Sequence, residues 1–338
     1  MDEADQRAEV GLAASALVMT SAVAIAAKLA GVVIAPGARG IFGEREVVLV
    51  ETIAGTLAYT LAGLLVALIC AASFELARAK TVHVATRGSV VAVSGLVVAL
   101  ASPAVVERLP TLPSLALAVI TSFAVVVAGL TVFRAPRTRA IGGVLALLAF
   151  GGLCRALAWE TSAASFERGS MGLHDVARVL ATIAVGTQAL AALVAAGWIG
   201  TRSRWRGRVL ANAAILAAFL VTWLAARGAD SPSAFESVLR TSLPAAAAVT
   251  PAPYVLGSIA VFLVPASIFL ALVLLFLREE PPLVTAPIGL VLLSSGVLDV
   301  PLHALLATAG AEWALLALAT VERQRSGVQQ PMSEPSLP

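Results

Sequence analysis

The feature that most constrains the fold of this chain is a series of apolar runs, each long enough to cross a lipid bilayer. A membrane-spanning helix needs about 20 consecutive apolar residues, because the hydrocarbon layer is about 30 Å thick and a helix rises about 1.5 Å per residue. Charged residues make up only 13% of the chain, whereas soluble domains carry about 25%. The sequence therefore excludes a soluble globular protein and predicts an all-α, polytopic transmembrane helical bundle. The first eight predicted spans are residues 10–35, 47–77, 88–106, 113–133, 140–159, 176–200, 208–227 and 254–277.

Segment 283–322 is too long for one straight span, since it would reach about 60 Å as a single helix. Asp299 is a good N-cap residue, and Pro301 lacks the amide proton that a helix interior requires. We therefore predict a tight hairpin between two further spans at 283–298 and 301–322, which gives about ten spans in all. The alternative is nine spans, with this segment crossing the membrane once.

The distribution of arginine predicts the orientation, because short cytoplasmic loops are rich in Lys and Arg. Basic residues concentrate at 78–87, 134–139 and 202–208, in the second, fourth and sixth loops. Ten spans place these loops, both termini and the C-terminal Arg323 and Arg325 on the cytoplasmic side. Nine spans would put that C-terminal segment outside, against the rule. We therefore expect cytoplasmic N- and C-termini.

Composition also bounds the domain organisation and the location. Residues 1–325 are predicted to form a single integral membrane domain, and residues 326–338, rich in Ser, Pro and Gln, to form a disordered tail. Only two of the 23 basic residues are lysine, and the chain is rich in alanine. This composition suggests a bacterium with a GC-rich genome, and hence a bacterial inner membrane as the location. Cys70 and Cys154 lie in separate apolar runs, so neither a disulfide nor a metal site is expected from them.

Glu312 is the most informative ionisable residue, because a carboxylate at the centre of a membrane helix costs about 2.5–3.5 kcal/mol even on the more lenient insertion scale. It lies about midway along the last predicted span. It follows Ala309, Gly310 and Ala311, whose small side chains allow a neighbouring helix to approach. One interpretation is a proton or cation site, and the other is an interhelical hydrogen bond or salt bridge.

Three further residues occur at a similar predicted depth. Gln188 lies in the sixth span and Asn212 toward the inner side of the seventh. Pro265 lies in the middle of the eighth span, where a proline frees a backbone carbonyl of the kind that ion-coupled transporters use. Gln188 and Pro265 could line a substrate path together with Glu312, although kinked membrane helices are also common in bundles without such a path.

Lys28 and Glu51 are predicted to lie at similar depths on the first two spans. A structural ion pair between them is one interpretation. The other is that Lys28 extends its ammonium group to the membrane surface.

Several polar residues collect near the predicted outer ends of the spans. They can form a polar rim at the membrane surface, or else an outward-facing vestibule or a surface for a partner. They match no metal-ligand motif such as HExxH, so no metal site is predicted. These residues are Arg155, His174, Asp175, Arg178, Asp299 and His303.

Known catalytic signatures such as GxSxG, HExxH, the P-loop and the dinucleotide-binding GxGxxG do not occur in a suitable context. No catalytic residue and no cofactor are predicted. Arginines are scattered through short loops rather than clustered on one face, so nucleic acid is not expected as a partner. The expected partners are the lipid bilayer and either a membrane protein or a second copy of the chain. The preferred hypothesis is a non-catalytic membrane subunit or scaffold, the alternative is a small-solute or ion-coupled transporter that uses Glu312, and a membrane-embedded enzyme is the least favoured.

Overall fold

The computed structural model of the chain describes residues 18–19, 21–22, 44–101, 112–135, 138–202, 205–228, 254–275, 282–295 and 300–328. Within these ranges the secondary structure is helical and contains no strand. We number the helices in chain order as α1 Glu44–Arg78, α2 Val84–Leu100, α3 Leu112–Phe133, α4 Arg139–Arg168, α5 Met171–Arg202, α6 Trp205–Gly228, α7 Tyr254–Leu275, α8 Pro282–Ser295 and α9 Val300–Val328.

Among the described residues, five segments are long and apolar enough to cross a membrane, and they belong to α1, α3, α4, α5 and α9. Large apolar side chains such as Phe74, Phe123 and Leu216 are exposed on the outside of the bundle, as lipid-facing residues of a membrane protein are. The structure therefore supports a membrane-embedded, all-helical protein. The count of ten spans and the side on which the termini lie stay predictions. Most of the first predicted span lies outside the described residues.

The central element of the bundle is α9. Within Leu302–Thr320, 89% of the segment is buried inside the protein, compared with 28% of Thr60–Arg78 in α1. Helix α9 packs against α1, α2, α3 and α8. A side chain in the middle of α9 is therefore surrounded by protein rather than by lipid.

Helices α8 and α9 form the antiparallel pair that the sequence predicts. The His303 ring contacts the Ser294 carbonyl near the start of α9, and Gly310, two turns later, faces Pro287 and Val291 on α8. Residues further along α9 thus contact residues earlier in α8, so the two helices are antiparallel. The connecting residues 296–299, which include Asp299, lie outside the described residues.

Several predicted boundaries differ from those observed, and two examples are the end of the fifth predicted span and the start of the predicted tail. The span predicted at 140–159 is part of α4, which continues to Arg168, because residues 160–168 contain no proline or glycine that would end a helix. Helix α4 ends instead at Gly169, whose φ of 59° is the left-handed conformation that glycine adopts readily. Residues 326–328 were predicted to begin a disordered tail, but they are the last residues of α9.

Candidate functional site

The carboxyl group of Glu312 lies at the junction of three helices. Its side chain is 0% exposed. The Ser73 hydroxyl on α1 donates a hydrogen bond of 2.5 Å to Oε1 of Glu312 on α9. The side chain of Ser94 on α2 lies next to the same carboxyl group, but its hydroxyl donates its proton to the Val90 carbonyl at 2.8 Å. Glu312 therefore connects the central helix to α1 through a hydrogen bond and lies beside α2.

Two oxygen atoms at this junction lack a hydrogen-bond partner among the described residues. They are Oε2 of Glu312 and Oγ1 of Thr308. Thr308 is also 0% exposed and precedes Glu312 by four residues, so the two side chains share one face of α9. The site thus contains a carboxyl group and three hydroxyl groups. Two of these groups have oxygen atoms that could form further hydrogen bonds.

The surroundings of Glu312 offer no opposite charge in the part of the chain that the structure describes. Helices α3 and α8 contain no charged residue at all. On α1, Glu75 and Arg78 are exposed, and on α2, Arg87 donates to the Ala79 carbonyl at 2.9 Å. An ionised carboxylate without a partner in a dry interior is strongly disfavoured. The arrangement therefore fits a neutral carboxylic acid.

The position of Ser73 indicates how deep the site is. Ser73 precedes Arg78 at the end of α1 by five residues, or about 8 Å along the helix axis. Ser94 follows the start of α2 at Val84 by ten residues, or about 15 Å. If the basic ends of α1 and α2 mark the cytoplasmic surface, Glu312 lies between that surface and the middle of the bilayer.

Gln188 and Pro265 belong to a different part of the bundle. Gln188 is 4% exposed on α5, and Pro265 is buried inside α7. Helices α5 and α7 pack against each other, whereas neither makes an extensive contact with α9. The structure therefore does not bring these two residues into the junction around Glu312.

The predicted outer residues are only partly brought together. His303 Nδ1 lies 2.6 Å from the Ser294 carbonyl, and since a carbonyl can only accept, Nδ1 donates this hydrogen bond. The Nε2 side of the ring faces Gly152 on α4, where a Cβ atom would be 3.5 Å from Nε2. Arg155, one turn further on, lies close enough to interact electrostatically with His303. Arg155 was predicted to lie at the end of a span, but it is in the interior of the longer α4.

The remaining candidates stand apart or lie outside the described structure. Asp175 and Arg178 form an ion pair of 3.5 Å on α5, with side chains 68% and 37% exposed. His174 is the residue before Asp175 and is half-buried. No group of three His, Cys, Asp or Glu side chains suited to a metal ion occurs in the part of the chain that the structure describes. Lys28 and the side chain of Glu51 lie outside the described residues, so their ion pair stays a prediction.

Sequence reasoning found Glu312 but missed its partners. Ser73 and Ser94 look like ordinary serines of apolar helices, and Ser73 is 239 positions away from Glu312. Thr308 could have been found, because a spacing of four residues places it on the same helix face.

Comparison of the chain with protein-family models, with curated proteins and with solved structures finds no match.

Proposed function

We propose that this chain is a non-catalytic subunit or scaffold of a cell membrane, with a bacterial inner membrane as its location. The observation that carries the proposal is the closed junction at Glu312, in which a fully buried carboxyl accepts a hydrogen bond from Ser73. Polar groups that hydrogen-bond across membrane helices stabilise their association. In this proposal Glu312 fixes the packing of α9 against α1 and α2.

A second candidate function is an ion-coupled transporter of small solutes. The observation that favours it is the pair of buried oxygens, Glu312 Oε2 and Thr308 Oγ1, that have no hydrogen-bond partner among the described residues. A carboxyl and a hydroxyl on one helix face are groups that can exchange a proton or hold a cation. Such a site must be reached by water in some state of the protein, whereas a scaffold requires no access.

Access of water to Glu312 therefore separates the two functions. The purified protein in lipid nanodiscs would be treated with a water-soluble carbodiimide and an excess of a small amine. The carboxylic acid adds to the carbodiimide to form an O-acylisourea, and the amine then displaces the urea and leaves a stable amide. Peptide mass spectrometry measures the modified fraction at each carboxyl group. The exposed carboxyls of Glu75 and Asp175 serve as controls within the same sample.

The scaffold proposal predicts that Glu75 and Asp175 are modified while Glu312 is not. After unfolding in detergent, Glu312 should be modified as readily as the two controls. Modification of Glu312 in the folded protein at a rate comparable to that of Glu75 would overturn the scaffold proposal in favour of the transporter.

A further inference from the structure

Helix α6 directs its single amide side chain away from the bundle. Asn212 is exposed, and so are Val209, Leu216 and Phe219, at 53%, 68% and 60%. These positions, with the exposed Trp205, follow one another at spacings of four and three residues, so they form one continuous face. We call these five residues the Asn212 face. The side chains that α6 buries against the bundle lie on the opposite side of the helix, at Ala211, Ala214 and Ala218.

The surroundings of Asn212 are apolar. Within the sequence VLANAAILAAFL, residues 209–220, Asn212 is the only polar side chain. It lies seven residues, or about 10 Å, beyond the start of α6 at Trp205, inside the predicted span 208–227. No hydrogen bond joins its amide to another residue in the described ranges. An amide that faces lipid hydrocarbon without a partner is unfavourable, and apolar neighbours do not compensate for it.

We propose that the Asn212 face is the surface on which a second copy of this chain packs, in a dimer related by a two-fold axis. A carboxamide both donates and accepts hydrogen bonds. On a two-fold axis the same residue from each copy meets its own counterpart, so two Asn212 side chains satisfy each other. The alternating spacing of the face suits two helices packed side by side, and one asparagine in an otherwise apolar seam fixes their register.

Positive charges at the start of α6 do not oppose this arrangement. Arg208 is turned back toward its own chain, where its Nε donates to the Gly200 carbonyl at 2.9 Å. Arg206 lies about 120° around the helix from Asn212, at 100° per residue. Both residues are near the predicted membrane surface, where salt screens their repulsion.

This inference goes beyond the proposed scaffold role, because it names the partner and the surface. Its test does not involve Glu312. A monomeric protein could still have a closed Glu312 junction, and a dimer could still be a transporter, so the two proposals can fail separately.

The first test is disulfide cross-linking in native membranes. We would replace both natural cysteines to obtain a cysteine-free variant, Cys70→Ala/Cys154→Ala, and add Leu216→Cys on the Asn212 face. Oxidation should produce a species of twice the 34.4 kDa chain mass. The matched control is Leu193→Cys on α5, a leucine that is 67% exposed compared with 68% for Leu216. Equal cross-linking at both positions, or cross-linking of Leu216→Cys to a different protein, would overturn the proposal.

The second test changes the amide itself. We expect Asn212→Leu to weaken dimerisation by at least about tenfold, which corresponds to the loss of interhelical hydrogen bonds in a membrane. Asn212→Gln keeps the amide and should retain most of the dimer. Native mass spectrometry over a dilution series measures both. A wild-type protein that is monomeric throughout the series would contradict the proposal, as would an Asn212→Leu variant that dimerises like the wild type.

Discussion

The hydrogen bond between Ser73 and Glu312 joins two helices that are distant in the sequence. The acceptor lies where water does not compete for the bond, since Glu312 is 0% exposed, while Ser73 is half-buried. A neutral acid can accept the hydrogen bond from Ser73 without the penalty of an unpaired buried charge. The same bond in an ionised form would need a positive partner, and the described parts of the neighbouring helices do not supply one. At the residue scale, the structure therefore favours a role for Glu312 in holding α9 against α1.

We predict that Ser73→Ala lowers the free energy of unfolding by about 1 kcal/mol, the typical net contribution of one buried hydrogen bond. The reason is that Oε1 of Glu312 loses its donor while remaining buried. Reversible unfolding in a mixed-detergent titration measures the change. In a Glu312→Leu background the same substitution should have almost no effect, because the acceptor is already absent.

The matched control is Ser89→Ala on α2. Ser89 donates to the Thr86 carbonyl within its own helix at 3.0 Å, so its loss affects no contact between helices. We expect little change in stability. If Ser73→Ala were as costly in the Glu312→Leu background as in the wild type, the hydrogen bond would not be the cause.

At the scale of the helices, close packing of α3 on α4 depends on two glycines. A Cβ atom added at Gly142 would lie 2.5 Å from the carbonyl oxygen of Gly129 and 2.5 Å from the backbone nitrogen of Phe133. These are backbone atoms, which cannot move aside as a flexible side chain can. Gly143, the next residue, has no such atom within 4 Å.

We predict opposite effects for the two adjacent substitutions. Gly142→Ala should destabilise the protein by about 1–3 kcal/mol or more, because α3 and α4 must move apart. Gly143→Ala should be neutral or stabilising by up to about 1 kcal/mol, since alanine favours the helix over glycine. Thermal unfolding of the purified variants measures both. A similar loss of stability in the two variants would contradict the close approach at Gly142.

The helices were largely predictable from the sequence because hydropathy marks the segments that avoid water. The predicted span 113–133 almost coincides with α3, Leu112–Phe133, and the break near Pro301 separates α8 from α9. Hydropathy does not mark the end of a helix, however. Helix α4 continues to Arg168 through a more polar segment that contains neither proline nor glycine.

Only one residue of the candidate site could be predicted from the sequence, the one whose burial in a membrane costs free energy. Glu312 is recognised from the sequence because a buried carboxyl requires an explanation. Ser73 is not, because a serine in a membrane helix usually bonds to its own backbone, as Ser94 does with the Val90 carbonyl. Which serine meets the acid depends on how α1 and α9 pack, and that contact has no local signal.

At the scale of the whole molecule, basic side chains cap the C-terminal ends of helices at the predicted cytoplasmic side. Arg87 donates to the Ala79 carbonyl just beyond the end of α1, and Arg208 donates to the Gly200 carbonyl near the end of α5, each at 2.9 Å. These bonds satisfy carbonyl groups that a helix leaves unpaired, and they place positive charge at the negative end of the helix dipole. The same arginines thus stabilise the loops and are among the residues from which a cytoplasmic location of these loops is predicted.

Orientation in the membrane can be tested with single cysteines in the cysteine-free variant. Ten spans predict that Met171→Cys and Val300→Cys react with a membrane-impermeant maleimide in intact cells, because both would lie outside. Lys80→Cys and Gln324→Cys should react only after permeabilisation. Met171 lies at the start of the long helix α5, and Lys80 lies just after the end of the long helix α1. These two positions therefore identify the outer and the inner side of the membrane without reference to α8 and α9. Labelling of Val300→Cys and Gln324→Cys from the same side would then mean that α9 does not cross the membrane, and the count of ten spans would be wrong.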